Sequence, residues 1–149
     1  MRTILFPVLL LYMACTNDTN RPGVTAPSVT EAGGKKQHYE GAFTNGMKQT
    51  YISFDISADG KSLEGLTFKG WWRCSGSLEQ TTLGPKKSFS IQNNKVDGVI
   101  TDPENGGSSA IRYELHATIS GAKAEGSFRM NLNALSCDTY VLKFVATRK

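Results

Sequence analysis

The sequence predicts an all-β protein: a single antiparallel β-sandwich or barrel-like domain of about eight or nine strands, following a cleaved signal and a flexible linker. Three observations lead there. From Tyr39 onward, short runs of alternating apolar and polar residues are broken by turn signals about every eight to twelve residues. No window carries the 3.6-residue apolar stripe of an amphipathic helix. Finally, 15 glycines in 149 residues, with 39% apolar and 20% charged residues, suit a globular chain rich in turns. A chain of this length holds one domain with a core of its own.

Residues 1–14 have the outline of a signal peptide: Arg2, an apolar run from Ile4 to Ala14 interrupted by Pro7, then Cys15 and the polar string from Thr16 to Asn20. Eleven residues in a helix cover about 16 Å, roughly half of a hydrocarbon layer, so the run is too short to remain as a span. Residues 15–37 carry Asn, Thr, Pro, Gly, Ser and Ala with little apolar periodicity, which predicts a flexible linker. As a random coil, the part from Thr16 to Gln37 reaches about 26 Å. The domain occupies residues 38–149.

Within it, the first strand is Tyr39 to Thr44. The next hairpin runs from Tyr51 to Phe68, with Ile52, Phe54 and Ile56 facing the core and Asp59-Gly60 as a type I′ turn. Leu63 opposes Ile56, whereas Leu66 and Phe68 demand the other parity, so a bulge is expected near Glu64-Gly65. In "FKGWWRC" the alternation points Phe68, Trp72 and Cys74 inward and Lys69, Trp71 and Arg73 outward. Further strands are predicted at Ser77 to Thr82, Ser88 to Gln92, Lys95 to Thr101 and Thr139 to Thr147. The loops Thr82 to Lys87 and Asp102 to Gly107 separate them. The clearest hairpin spans residues 110–132. With Ser120-Gly121 as a two-residue turn, Ile111 faces Met130, Tyr113 faces Phe128, Leu115 faces Gly126 and Ala117 faces Ala124. Arg112, Glu114, His116, Lys123, Glu125, Ser127 and Arg129 then collect on the other side.

The outward trio Lys69, Trp71 and Arg73 is the candidate ligand face. An aromatic face covers the apolar side of a sugar ring, and flanking cations take acidic groups. The plainer alternative has Trp71 covered by a loop or the second sheet, or lying at a bulge. The patterns of an enzyme are missing: there is no G-x-S-x-G, H-E-x-x-H or glycine-rich phosphate loop. His38 lies at the edge of the linker, and His116 is expected opposite Glu125 as an ordinary cross-strand contact. No catalytic residue, metal ligand or cofactor is therefore assigned. Asp102, Glu104 and Asn105 carry oxygens suited to calcium, yet their spacing matches no complete loop motif and reads as an acidic turn. The net charge of +4 has no basic block, Lys35-Lys36 and Lys86-Lys87 being the densest pairs. That excludes a surface tracking phosphates, and nucleic acid is not an expected partner.

The residues Tyr12-Met13-Ala14-Cys15 resemble the lipobox of bacterial lipoproteins, in which a small residue precedes a cysteine that becomes the lipid-bearing N-terminus. Ala14 and Cys15 match that pattern, while Tyr12 stands where an aliphatic residue is usual. The resemblance covers the first tenth of the chain. It implies a thioether-linked diacylglycerol and an amide-linked acyl chain on Cys15. Each buried CH₂ contributes about 0.8 kcal/mol, so two or three chains make a lasting attachment. With Thr16 rather than aspartate after the cysteine, it also implies the outer membrane of a Gram-negative cell. An ordinary secretory signal, or a retained membrane anchor, is the alternative.

Lipid on Cys15 accounts for the odd cysteine among three, leaving Cys74 and Cys137 to form one disulfide in an oxidising compartment. Two separate thiols are the alternative. The function expected is that of a lipid-anchored, non-catalytic envelope protein that binds a glycan, a peptide or an envelope partner. A structural or assembly-accessory lipoprotein is the alternative. A small hydrolase would need acidic or histidine side chains to converge.

Overall fold

The computed structural model describes residues 34–149. The signal segment, Cys15 and nearly all of the linker lie outside the described residues. Among the described residues ten strands follow one another: β1 (Gln37–Phe43), β2 (Tyr51–Ile56), β3 (Ser62–Cys74), β4 (Ser77–Leu83) and β5 (Phe89–Ser90), then β6 (Lys95–Asp102), β7 (Ile111–Ser120), β8 (Lys123–Leu132), β9 (Cys137–Asp138) and β10 (Leu142–Arg148). A single 3-10 turn, Asn133–Leu135, sits between β8 and β9.

All pairings are antiparallel, and the order β10-β1-β2-β3-β9-β8 returns to β10 through a β10–β8 ladder. The alternative left open by the sequence is thereby resolved: a ring of pairings that closes is a barrel, which leaves no pair of sheet edges as a sandwich does. Strands β7 and β6 extend from β8, and β4 and β5 occupy the remaining edge of β3. Gln37, assigned to the linker from composition, pairs with Ile56 and already belongs to the ladder. At the other end of the chain, the Lys149 amide donates to the His38 carbonyl at 2.9 Å. Both ends of the described chain therefore meet at the start of β1.

The core follows from alternation on every strand. Tyr39 and Phe43 of β1, Ile52, Phe54 and Ile56 of β2, Phe68 and Trp72 of β3, Leu115 of β7, Phe128 and Met130 of β8, and Phe144 of β10 are all buried. The rings of Phe68 and Phe128 stack at 5.5 Å, and those of Tyr39 and Phe54 at 5.4 Å. Phe43 meets Phe68, Phe128 and Phe144 at steeper angles. Offset and edge contacts of this kind add to the burial of apolar area. Burial, with the charge of Asp102 second, pushes the Tyr113 phenol up to about 12.

Turn chemistry explains where the strands depart from expectation. The bulge stands where parity demanded it: the β2–β3 register shifts between Ser53–Thr67 and Asp55–Glu64, and Gly65 takes φ +58°. Asp59-Gly60, however, is not a two-residue type I′ turn. Of the two, only Gly60 adopts a positive φ; its amide donates to the Ser57 carbonyl (2.9 Å), and the strands rejoin at Ser57–Ser62. The Asp59 carboxylate accepts from Ser57 Oγ (2.6 Å) and the Lys61 amide (3.0 Å). These bonds, the serine first, hold its pKa below the usual value and close a wider loop. The two-residue turns with both central φ positive are Ser75-Gly76 and Asn93-Asn94. At the latter, Gln92 and Lys95 exchange two bonds of 2.9 Å.

The β7–β8 hairpin corrects the predicted pairing. Its turn is Gly121-Ala122, one residue later than expected, with only Gly121 at positive φ, the pattern of a type II′ turn. Tyr113 therefore pairs with Met130, Leu115 with Phe128, Ala117 with Gly126 and Ile119 with Ala124. A shift of two keeps each side chain on its predicted face while changing every partner. Gly126 suits its place because a Cβ there would meet the His116 carbonyl oxygen across the ladder.

The strand predicted from Thr139 to Thr147 is also interrupted. Asp138 pairs with Asn131 and Leu142 with Phe128, so four steps along one strand match three along the other. The extra residue is accommodated as a bulge at Thr139–Val141, where Tyr140 takes φ +55°. Just before it, the Cys74–Cys137 disulfide joins β3 to β9 with Cα atoms 3.9 Å apart. It stands beside Arg73–Asp138, the pair by which β3 and β9 meet in the ring.

Candidate functional site

The second half of β3 builds the site. Trp72 and Cys74 point into the core, Trp71 is half-buried, and Lys69 and Arg73 are exposed, as alternation requires. On the neighbouring β4, Leu78 faces Arg73, Gln80 faces Trp71 and Thr82 faces Lys69, all on the outward side. The loop at 139–141 lies along the other flank of Trp71, next to the loop that joins β1 to β2. Together they enclose a groove of about 290 Å³ lined by Met47, Trp71, Arg73, Leu78, Tyr140 and Val141, among others. Four of these are unusually bare for large apolar residues: Met47 is 51% exposed, Leu78 46%, Tyr140 60% and Val141 54%. Scattered apolar residues on a surface need no explanation, but a cluster around one groove does.

The predicted trio is divided by this geometry. Trp71 and Arg73 line the groove together, whereas Lys69 lines an adjoining depression of about 450 Å³ with Tyr51, Ser53, Thr67, Thr82 and Lys149. Sequence reasoning missed Met47, Leu78, Tyr140 and Val141. Tyr140 and Val141 were hidden because the run from Thr139 to Thr147 alternates like an unbroken strand, which gives no sign of a bulge.

The walls of the groove are held from beneath. The Asp138 carboxylate accepts from Arg129 Nε at 3.1 Å and from its Nη2, and also from the Tyr140 amide at 2.7 Å. Thr139 is buried; its hydroxyl accepts from the Met130 amide (2.9 Å) and donates to the Tyr140 carbonyl (3.0 Å). Asn45 Nδ2 donates to the Val141 carbonyl (3.0 Å) while its Oδ1 accepts from the Lys143 amide (2.6 Å). A left-handed backbone at a non-glycine residue costs on the order of 1–3 kcal/mol and persists only where its surroundings over-determine it. Here three side chains do so. Asp138→Ala removes a charge-assisted pair and the acceptor for the Tyr140 amide, so a loss of about 1–3 kcal/mol is expected. Hydrogen exchange should show the Tyr140 amide exchanging faster in that variant than in the native protein.

The histidines are placed elsewhere. His116 faces Ser127 rather than Glu125, because of the two-residue shift, and its ring lies 3.1 Å from Glu114 and 2.9 Å from Asp97. His38 Nδ1 lies 2.6 Å from Asp55. The hydrogen bond to Glu114 is the main cause that raises the pKa of His116, and the bond to Asp55 does the same for His38. A histidine raised in the fold contributes stability that is fully present below its unfolded pKa of about 6.5 and is lost as pH rises through the folded value. Both rings are largely exposed, so the effect is small. Proton NMR should find both midpoints above 6.5, and His116→Gln should remove part of the fall in thermal midpoint between pH 6 and pH 8.

The loop with calcium-type oxygens is engaged by its neighbour. Asp102 Oδ2 accepts from the Lys86 amide at 3.1 Å, and Glu104 pairs with Lys87. Among the described residues, no three His, Cys, Asp or Glu side chains are grouped to hold a metal ion. No helix among them is long and apolar enough to cross a membrane. No family model, curated protein or solved structure matches this chain.

Proposed function

We propose that this is a lipid-anchored, non-catalytic protein of the bacterial cell envelope that binds a partner through the groove around Trp71. One observation carries the binding role: four of the exposed large apolar side chains, Met47, Leu78, Tyr140 and Val141, stand around one groove whose loops are fixed by internal hydrogen bonds. Burying such a patch supplies free energy at about 25 cal/mol per Å², and a preorganised loop loses less on ordering. The anchor rests on the resemblance of residues 12–15 to a lipobox.

Two experiments test this reading. Metabolic labelling with a fatty-acid analogue should mark the native protein and fail to mark Cys15→Ser. For the groove, a photo-crosslinking residue is introduced at Tyr140 or, as a control, at Val99, which is 50% exposed on β6. Discrete adducts in cells from position 140 alone, abolished by Trp71→Ala, support the groove. Equal adducts at both positions, or none, would favour a structural or assembly-accessory role.

A further inference from the structure

Resting on that reading, we infer that the partner is an extended protein segment, with apolar residues alternating with acidic ones, that adds as a strand to the free edge of β4, along the rim of the groove that Leu78 forms. Three independent features lead to this partner rather than a glycan.

The first is what the groove's polar groups are already doing. A sugar needs a set of free donors and acceptors for its hydroxyls, with one aromatic face for stacking. Here the Asn45 amide is used at both ends, the Asp138 carboxylate is shared between Arg129 and the Tyr140 amide, and the Thr139 hydroxyl is committed to Met130 and Tyr140. Apart from the Arg73 guanidinium and the buried Thr50 Oγ1, which has no hydrogen-bond partner among the described residues, what the groove still offers is apolar. Met47, Leu78 and Val141 with Trp71, Tyr140 and Arg73 have the composition of a protein-binding patch, and Met adapts to varied side chains.

The second is charge. Lys69 and Arg73 lie on the outward face with no carboxylate paired to either among the described residues. Most acidic side chains there are already bonded to a base or an amide; Glu79 is the exception, and it lies on the opposite face of β4. A partner with its own carboxylates complements this face. A second copy of the chain, with the same cationic surplus, does not.

The third is the edge itself. Among the described residues, β4 pairs with β3 alone. The Ser75-Gly76 turn makes Cys74–Ser77 a hydrogen-bonded pair, so the residues between such pairs, Leu78, Gln80 and Thr82, aim their amides and carbonyls at the open side. The segment "SLEQTTL" has no proline and no lysine, the residues that commonly block an edge. An added strand places alternate side chains on the face that carries Leu78, Gln80 and Trp71, which is how strand addition combines main-chain bonding with side-chain selection.

The test uses a displayed library of decapeptides in which apolar residues alternate with Asp and Glu, beside matched libraries with Lys, a glycan array and vesicles containing phosphatidylglycerol. Acidic–apolar peptides should be selected, and their binding should protect amides of β4 from hydrogen exchange. Affinity should fall at least tenfold in Arg73→Glu, and also in Gln80→Pro, which removes an outward amide without touching the β3–β4 ladder. Thermal melts identify a variant that merely unfolds. Selection of basic peptides, binding to glycans or vesicles in place of peptides, or peptide binding that leaves β4 unprotected would each overturn the inference. In those cases crosslinking at Tyr140 would still support the groove as a binding surface. Failure of both would overturn the reading on which the inference rests.

Discussion

Replacing Cys74 and Cys137 together with serine should destabilise the domain by about 4 kcal/mol, the chain-entropy value for a closed loop of this length. The two residues are 63 positions apart, and the bridge stands where β3 and β9 complete the ring. For a domain of this size the loss corresponds to a fall in thermal midpoint of roughly 15 °C. The groove should respond before the rest of the barrel does, because Arg73 and Asp138 are the immediate neighbours of the two cysteines and Asp138 holds Tyr140. In the double variant, native-state hydrogen exchange should find Tyr140 and Val141 opening at lower free energy than Phe68 or Phe128. A midpoint within a few degrees of the native value would mean that the remaining ladders close the ring unaided.

Phe128→Ala is expected to cost about 3–5 kcal/mol, the usual range for truncating a buried aromatic. Phe128 is fully buried, stacks on Phe68 and touches Phe43, and its backbone lies between β7 and β10, opposite Leu115 on one side and Leu142 on the other. A barrel interior tiled by rings has few small side chains able to move into the space, so the cavity persists. Urea titration measures the loss directly. Val99→Ala, on the exposed face of β6, should stay within about 0.5 kcal/mol of native. Comparable losses for both would show that the aromatic cluster is not the centre of the core.

The fold class was legible because strand alternation is a local property. In β2, β3, β7 and β8 each residue's face follows from its neighbours, and Gly65 announced its bulge through a conflict of parity that the residues themselves display. Partners were less legible. Moving the turn from Ser120-Gly121 to Gly121-Ala122 changes every pair in the β7–β8 ladder yet leaves both faces unaltered, so the hydrophobic pattern cannot distinguish the two registers. Asp59-Gly60 shows a similar limit: the Asp59 side chain bonds its own loop and selects a wider turn than the dipeptide suggests. Within the site, Trp71 and Arg73 could be read from alternation in β3 alone. Met47, Tyr140 and Val141 come from two loops almost a hundred residues apart, brought together by Asn45, and no local signal links them.

The placement of the chain ends has a mechanical consequence. Gln37 and Lys149 meet at one pole of the barrel, and β1 runs from there to the loop that carries Met47, a distance of about 23 Å at 3.3 Å per residue. Tension between an occupant of the groove and whatever precedes Gln37 would pull along β1, which is laced to β2 on one side and β10 on the other. Strands loaded along their length must break many rungs at once, instead of one after another as in unzipping. A load between Gln37 and the part of the groove that carries Trp71 and Tyr140 would therefore have to shear the β1 ladders.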